Sequence, residues 1–356
     1  MQHAMFDLEH TPRGMPPLLG EQKDIRYFGT DPRSILNSPA ATGMSFWSIN
    51  PYVGCAFGCA YCYARYAHRY VAERLSTAEG SGEGVNEELR DLPPWLAFER
   101  RILVKREAAS ILRRELKRPA RLRALLRETV VIGTATDPYQ PAERRYRITR
   151  GVLETLAEQR GLSVTIITKS PLVTRDIDVL LRIAAVSRLS VHVSLITVDR
   201  DLARRLEPRA PTPEARLRAI ARLRARGIEV GVNVMPVLPG ITDAPHLLDA
   251  LVRSIAGANA SYLGACALRL QSTARQRYLP FIEQEFPHLA ARYRSTYARS
   301  YQVGERYRQG LREHFRALCA TYGVTYDRYY KAEEDADSDD PSIVETSDSA
   351  QLLLEL

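Results

Sequence analysis

The chain is poor in the residues that would place it in several broad classes. Among 356 residues it has five cysteines, two tryptophans and seven histidines. So few cysteines, three of them clustered, exclude a disulfide framework and point to a reducing cytoplasm. No run of eighteen apolar residues occurs, which excludes a membrane-spanning helix. The opening stretch MQHAMFDLEHTPRG lacks the apolar core of a secretory signal. No dinucleotide glycine fingerprint and no P-loop follows any candidate strand.

Acidic residues are scarce in the body of the chain. From Lys331 onward there are one lysine and nine acidic residues, a net charge of −8; the first 330 residues therefore carry 49 basic and 33 acidic residues, or +16. So basic a body suits an anionic partner, with nucleic acid the leading class. An arginine-rich composition with solvated arginines on helices such as Ala215 to Arg226 gives the same balance.

What the chain does have is Cys55-Ala56-Phe57-Gly58-Cys59-Ala60-Tyr61-Cys62-Tyr63. Three thiolates at this spacing suit an iron–sulfur cluster, which is usually held by four cysteines. Three would leave one iron open for a small molecule. Structural zinc is the competing reading, but it wants four closed ligands, and the nearest further candidate is His68. Three core cysteines are the bland reading.

Residues 1–45 read as an extended N-terminal arm packing on the body. The run 46–53 reads as a strand feeding the cysteine loop, and Tyr63 to Leu75 as a helix. Residues 76–97 are a polar, flexible insertion, Phe98 to Lys105 a strand, and Arg106 to Lys117 an amphipathic helix stopped by Pro119. Apolar runs then recur at 129–133, 163–168, 190–196, 228–235 and 262–270, separated by helical segments near 144–160, 172–186, 213–226 and 245–256. Continuous apolar strands alternating with helices give a parallel sheet covered by helices. With 46–53 they make an α/β fold of about six units, a partial (β/α)6 barrel over 46–272, with a doubly wound open sheet as the alternative. Residues 273–330, rich in arginine and tyrosine, read as a C-terminal helical cap or as a surface that stacks bases. The acidic tail 331–356 reads as disordered, with a short docking helix at Leu352 to Leu356 as the one exception.

In parallel α/β folds ligands meet the carboxyl ends of the strands. There the chain places Thr136, Asp137, Lys169, Ser170, Ser194, Thr197, Asn233, Met235 and Arg269. These groups suit a zwitterion bearing a ribose and a purine. Lys169 would take a carboxylate, Asp137 or strand-end carbonyls an ammonium, and Ser194 or Asn233 the ribose hydroxyls. Asp137, Ser170 and Thr197 equally sit where helix N-caps belong.

The cysteine spacing after the first strand of such a barrel resembles the radical S-adenosylmethionine superfamily, and within it the spore photoproduct lyase-like branch, also called DNA repair photolyase-like. Further support comes from Tyr61-Cys62-Tyr63, Thr168-Lys169, Val193-Ser194, Glu207-Pro208 and Gly231 to Pro236, covering roughly Ile49 to Arg269. The resemblance implies a 4Fe–4S cluster on Cys55, Cys59 and Cys62, with S-adenosylmethionine on the open iron. It implies cleavage to a 5′-deoxyadenosyl radical that abstracts hydrogen, and a reductant such as flavodoxin or ferredoxin. It assigns Thr136, Lys169, Ser194 and the backbone of Met235 to S-adenosylmethionine, places Tyr61 beside the cofactor, and gives Tyr63 a part in hydrogen passage.

One position departs from that branch. The lyase quenches its product radical with a cysteine two residues before the hydroxyl matching Thr136, and this chain has Thr134 there. A threonine O–H is too strong a bond to replace a thiol as hydrogen donor, so repair of the spore photoproduct is not expected. Cys266 is the remaining candidate donor. Two other functional readings compete: a nucleic-acid-binding protein with a structural metal site, and a plain electron carrier, against which the polar strand-end ring argues.

Overall fold

The computed structural model describes residues 18–68 and 91–326. Its strands, in chain order, are β1 (Leu18–Gln22), β2 (Ile25–Thr30), β3 (Leu36–Asn37), β4 (Trp47–Ile49), β5 (Tyr52–Val53) and β6 (Arg101–Lys105). They continue with β7 (Thr129–Ile132), β8 (Ser163–Thr168), β9 (Arg188–Ser194), β10 (Glu229–Val237), β11 (Tyr262–Ala267) and β12 (Thr325–Tyr326). The main sheet runs β12-β11-β10-β9-β8-β7-β4-β3. Strands β4 and β7 to β11 are parallel to their neighbours, β12 extends them, and β3 closes the other edge antiparallel. Six central parallel strands in an unclosed sheet form the partial barrel.

Alternation along the strands explains why this sheet can hold a site. Side chains on a strand point to opposite faces in turn. Val130, Ile132, Val164, Ile166, Val191, Val193, Val230, Val232, Val234 and Leu263 are fully buried, forming the face packed under the crossover helices. The other face carries polar groups: hydroxyl pairs join Thr129 to Ser163 at 3.4 Å and Thr165 to Ser190 at 3.1 Å. Higher on that face His192 meets Asn233 Oδ1 at 3.2 Å and the Tyr262 phenol at 2.8 Å. Gly231 leaves room for this, because a Cβ there would stand 2.2 Å from the Tyr262 ring. The strands are thus apolar on one face and mixed on the other, where Val131 and Ile167 alternate with the polar groups.

Several elements differ from the expectations. The run 46–53 divides, with β4 in the main sheet and β5 in a second sheet of order β1-β2-β6-β5. The described part of the arm packs on the body by supplying β1, β2 and β3. Phe98 lies in the helix Pro94–Arg100 rather than in the strand that follows it, because Pro94 starts a helix whose buried face is Ala97, Phe98 and Glu99. Pro119 opens a new helix, Pro119–Leu125, as its lack of an N–H permits at a first turn. After Cys62 the chain makes a 3-10 turn, Tyr63–Tyr66. Residues 67 and 68 continue as helix; residues 69–75, most of the 76–97 insertion, and the acidic tail with its expected docking helix lie outside the described residues.

No helix among the described residues is long and apolar enough to cross a membrane. The C-terminal helices Ser272–Glu285, Ala290–Thr296 and Glu305–Tyr322 pack on the barrel. Their tyrosines Tyr278, Tyr293, Tyr297 and Tyr307 are buried, so these side chains face the cap's interior and not a solvent-borne base.

Candidate active site at the cysteine loop

The loop is held from every side by its backbone. Cys55 N donates to Phe98 O at 2.9 Å, Ala60 N to Leu206 O at 3.0 Å, and Arg209 N to Phe57 O at 3.3 Å. Ala56 N reaches Gln140 Oε1 at 3.0 Å, and Arg209 Nε reaches Ala56 O at 2.6 Å. Gly54 and Gly58 adopt φ of +87° and +66°, and a Cβ at Gly54 would lie 2.6 Å from the Phe98 carbonyl oxygen. Only glycine meets both demands.

Cys55 and Cys59 are buried, Cys62 is half-buried, and all three thiols are free of disulfides. Burial pushes the Cys59 thiol up to about 12, against the pull of Lys169. Burial likewise lifts Cys55, with Asp137 and the other two thiols adding to it, and lifts Cys62 against Arg65. Three thiolates would be held together here by a multiply charged metal group. The surroundings favour that: Arg65, Arg209, Lys169 and Arg216 stand against Glu99, Glu207 and Asp137. Arg65, fully buried, bonds Cys59 O at 2.7 Å and Glu99 at 2.9 Å. The donor set, the tight loop and the cation surplus fit an iron–sulfur cluster.

Among the described residues, no three His, Cys, Asp or Glu side chains are gathered closely enough for a single metal ion. His68 Nε2 lies 2.7 Å from Arg101 O, and burial lowers the imidazole to about 4.

Opposite the loop, Glu207 gathers several of the residues singled out from the sequence. It accepts the Tyr61 phenol and the Arg216 guanidinium, with Lys169 Nζ 3.8 Å away. Burial alone would raise the Glu207 carboxyl, but Arg216 and Lys169 outweigh it and hold it below the usual range. Burial opposes the Lys169 ammonium too, yet Glu207 and Cys59 raise it. Lys169 Nζ also lies 5.7 Å from the centre of the Tyr61 ring. Arg216 reaches on to Ser194 O at 3.0 Å, and Ser194 pairs with Asn233 across β9 and β10.

The remaining positions are placed as follows. Thr136 donates to Gly54 O at 2.6 Å and accepts from Gln140 at 3.0 Å, bracing the loop. Asp137 is a staple between strand ends: it takes Thr168 Oγ1 and Lys169 N, both at 2.7 Å, and Tyr139 N at 2.9 Å. Ser170 and Thr197 accept nearby backbone N–H groups, as turn and cap residues do. Met235 lies in the register shift between Val234 and Val237, so it has no ladder partner on β11. Tyr63 is 48% exposed and donates to Thr134 O, while Asn50 holds Thr134 Oγ1 at 3.1 Å. Cys266 alternates onto the inner face of β11 with Tyr262.

Glu207, Arg216, Gln140, Asn50, Arg65 and Glu99 were not among the site residues expected from sequence. Only the Glu207-Pro208 pair gave a signal, as part of the family resemblance.

The family model of the radical SAM superfamily matches residues 49–251. An uncharacterized protein of Mycobacterium tuberculosis is 36% identical over 279 residues, 78% of this chain and 75% of its own. One of Methanocaldococcus jannaschii is 26% identical over 200 residues, 56% of this chain and 63% of its own. Among solved structures, a spore photoproduct lyase superposes with TM-score 0.57 at 15% identity, covering 84% of this chain and 81% of that one. A form of that lyase with AdoMet and dinucleoside spore photoproduct bound gives 0.55 at 15%, over 88% and 86%. These likenesses are of fold. With a match spanning more than half its length, on the segment that carries the three cysteines, the chain belongs to the radical SAM superfamily and is an enzyme of that type.

Proposed function

We propose that Cys55, Cys59 and Cys62 hold a 4Fe–4S cluster with one iron open to S-adenosylmethionine. When bound, that pair supplies a 5′-deoxyadenosyl radical, formed by one-electron cleavage of the sulfonium, for hydrogen abstraction from a substrate. The observation carrying this reading is the convergence of the buried cysteine loop with Tyr61 and Lys169 around Glu207.

The chain's own residues then bind and orient. Lys169 pairs with the methionyl carboxylate, and Ser194 and Asn233 receive the ribose. Thr136 has its proton on Gly54 and one lone pair on Gln140, leaving one lone pair for the ammonium. The backbone of Met235, unpaired on its β11 side, is open to the adenine. Tyr61 lies against the cofactor, and the exposed Tyr63 faces the substrate side and takes part in hydrogen passage. The electron comes from a small protein such as a flavodoxin or ferredoxin, in a cytoplasmic setting. The substrate class favoured by the +16 body is nucleic acid. With Thr134 in place of a thiol, the product radical is quenched by a route other than the one the lyase branch uses.

The test is anaerobic reconstitution followed by dithionite and S-adenosylmethionine, with and without ultraviolet-irradiated DNA. About four irons per chain and release of 5′-deoxyadenosine are expected. Iron uptake with no cleavage under any condition contradicts the proposal. A new nucleoside product, or suppressed uncoupled cleavage, with DNA present supports the substrate class.

A further inference from the structure

We propose that Glu207 is a positioning residue that, with Lys169, sets the reduction potential of the cluster by fixing charge beside Cys59. The inference rests on the cluster reading above and deepens it.

Glu207 ends the helix Arg200–Leu206, and the turn that follows straps the back of the cysteine loop. Leu206 O takes Ala60 N at 3.0 Å, and Arg209 grips Phe57 O and Ala56 O at 3.3 and 2.6 Å. The strap therefore fixes where the Glu207 carboxylate stands relative to the thiols. That carboxylate is 2% exposed and holds the Tyr61 phenol, whose residue lies between Cys59 and Cys62 in the chain. Arg216 is fully committed: besides Glu207 it donates to Pro211 O at 2.9 Å and Ser194 O at 3.0 Å. Lys169 is the member with freedom, its side chain 15% exposed and its ammonium 3.8 Å from Glu207.

Two cations and one carboxylate thus sit on the Cys59 side of the loop with little water to screen them. In such a place a unit charge is felt far more strongly than at a surface. Reduction adds one electron from a low-potential donor and transfers no atom, so it adds one negative charge to the cluster. A neighbouring cation stabilises the reduced form and a neighbouring anion opposes it. Glu207 holds the potential down, Lys169 holds it up, and their contact fixes the balance. A role in packing alone gives no such opposition of sign.

The experiment is an anaerobic redox titration of the reconstituted full chain, followed by electron paramagnetic resonance without S-adenosylmethionine. E207Q is expected to shift the midpoint to more positive potential and K169M to more negative potential. The K169M/E207Q double variant, which removes one charge of each sign, should return close to the parent value. Y61F, which removes a partner of Glu207 and no charge, should stay at the parent value. Single variants that shift in the same direction, or a double variant that stays displaced, overturn the proposal. If E207Q does not take up iron, K169M decides alone: a negative shift supports the proposal and an unchanged midpoint overturns it. Failure of the parent chain to take up iron sinks the cluster reading instead, so the two failures are distinct.

Discussion

The cysteine loop and the C-terminal helices both bury tyrosines among arginines, and they use them differently. In the helices the buried tyrosines find local partners. Tyr293 donates to Pro239 O at 2.8 Å, Tyr297 to Leu268 O at 3.1 Å, and Tyr307 to Asp243 at 2.9 Å. Arg275 bonds Tyr297 O, Arg294 pairs with Glu283, and Arg308 and Arg312 share Glu305. The rings of Tyr293 and Tyr297 stack at 5.8 Å, as packing residues do. Around the loop, by contrast, Arg65, Arg209, Lys169 and Arg216 outnumber Glu99, Glu207 and Asp137 beside three buried or half-buried thiols. Residue types alone do not distinguish a cap from a reaction centre; a surplus of buried charge facing a donor set does.

The comparison breaks most sharply at a thiol. Cys59→Ala should abolish S-adenosylmethionine cleavage and most iron uptake, while far-ultraviolet circular dichroism stays that of a folded chain. No conservative change at a cap tyrosine should do this.

Arg65→Met comes next. It strands Glu99, which among the described residues keeps a 3.6 Å contact to Arg209, and breaking a buried pair costs about 3–5 kcal/mol. Denaturant titration of the protein should show a loss of this size.

The pH dependence of the loop's flank is of similar size. His68 stays neutral in the fold down to about pH 4, against an ordinary value of 6.5. Between those values the unfolded chain binds a proton that the folded chain does not, so stability falls as pH drops through that window. The span corresponds to roughly 3 kcal/mol. Thermal melts of the parent chain and of His68→Gln, run from pH 7 to pH 4, should differ in slope.

Tyr307→Phe should have the smallest effect. Losing one hydrogen bond to a carboxylate costs about 2 kcal/mol, and Asp243 keeps its bond from Gly240 N at 2.8 Å. Cleavage of S-adenosylmethionine should continue at the parent rate, which would sharpen the division between cap and centre.

Much of the barrel is legible in the residues. The runs 129–133 and 163–168 fall almost residue for residue on β7 and β8, because β-branched residues between turn residues leave little choice. The cysteine loop is legible too, since the ligand spacing is local. What is not legible depends on contacts across long separations. Glu207 meets Tyr61 across 146 positions and Gln140 meets Ala56 across 84, and neither pairing has a local pattern. Thr136 and Asp137 read equally as ligand contacts and as braces until their partners, Gly54 O and the Lys169 amide, are in place. The first strands escape for a related reason: β1 and β2 are stable only because β6, some seventy residues on, completes their sheet.

The central claim is that three cysteines leave one iron of the cluster open to S-adenosylmethionine. The direct measurement is the electron paramagnetic resonance spectrum of the reduced, reconstituted chain, recorded with and without S-adenosylmethionine. A changed signal on addition, lost in Lys169→Met at low S-adenosylmethionine and restored at high concentration, is the predicted result. Identical spectra at saturating S-adenosylmethionine would contradict the account.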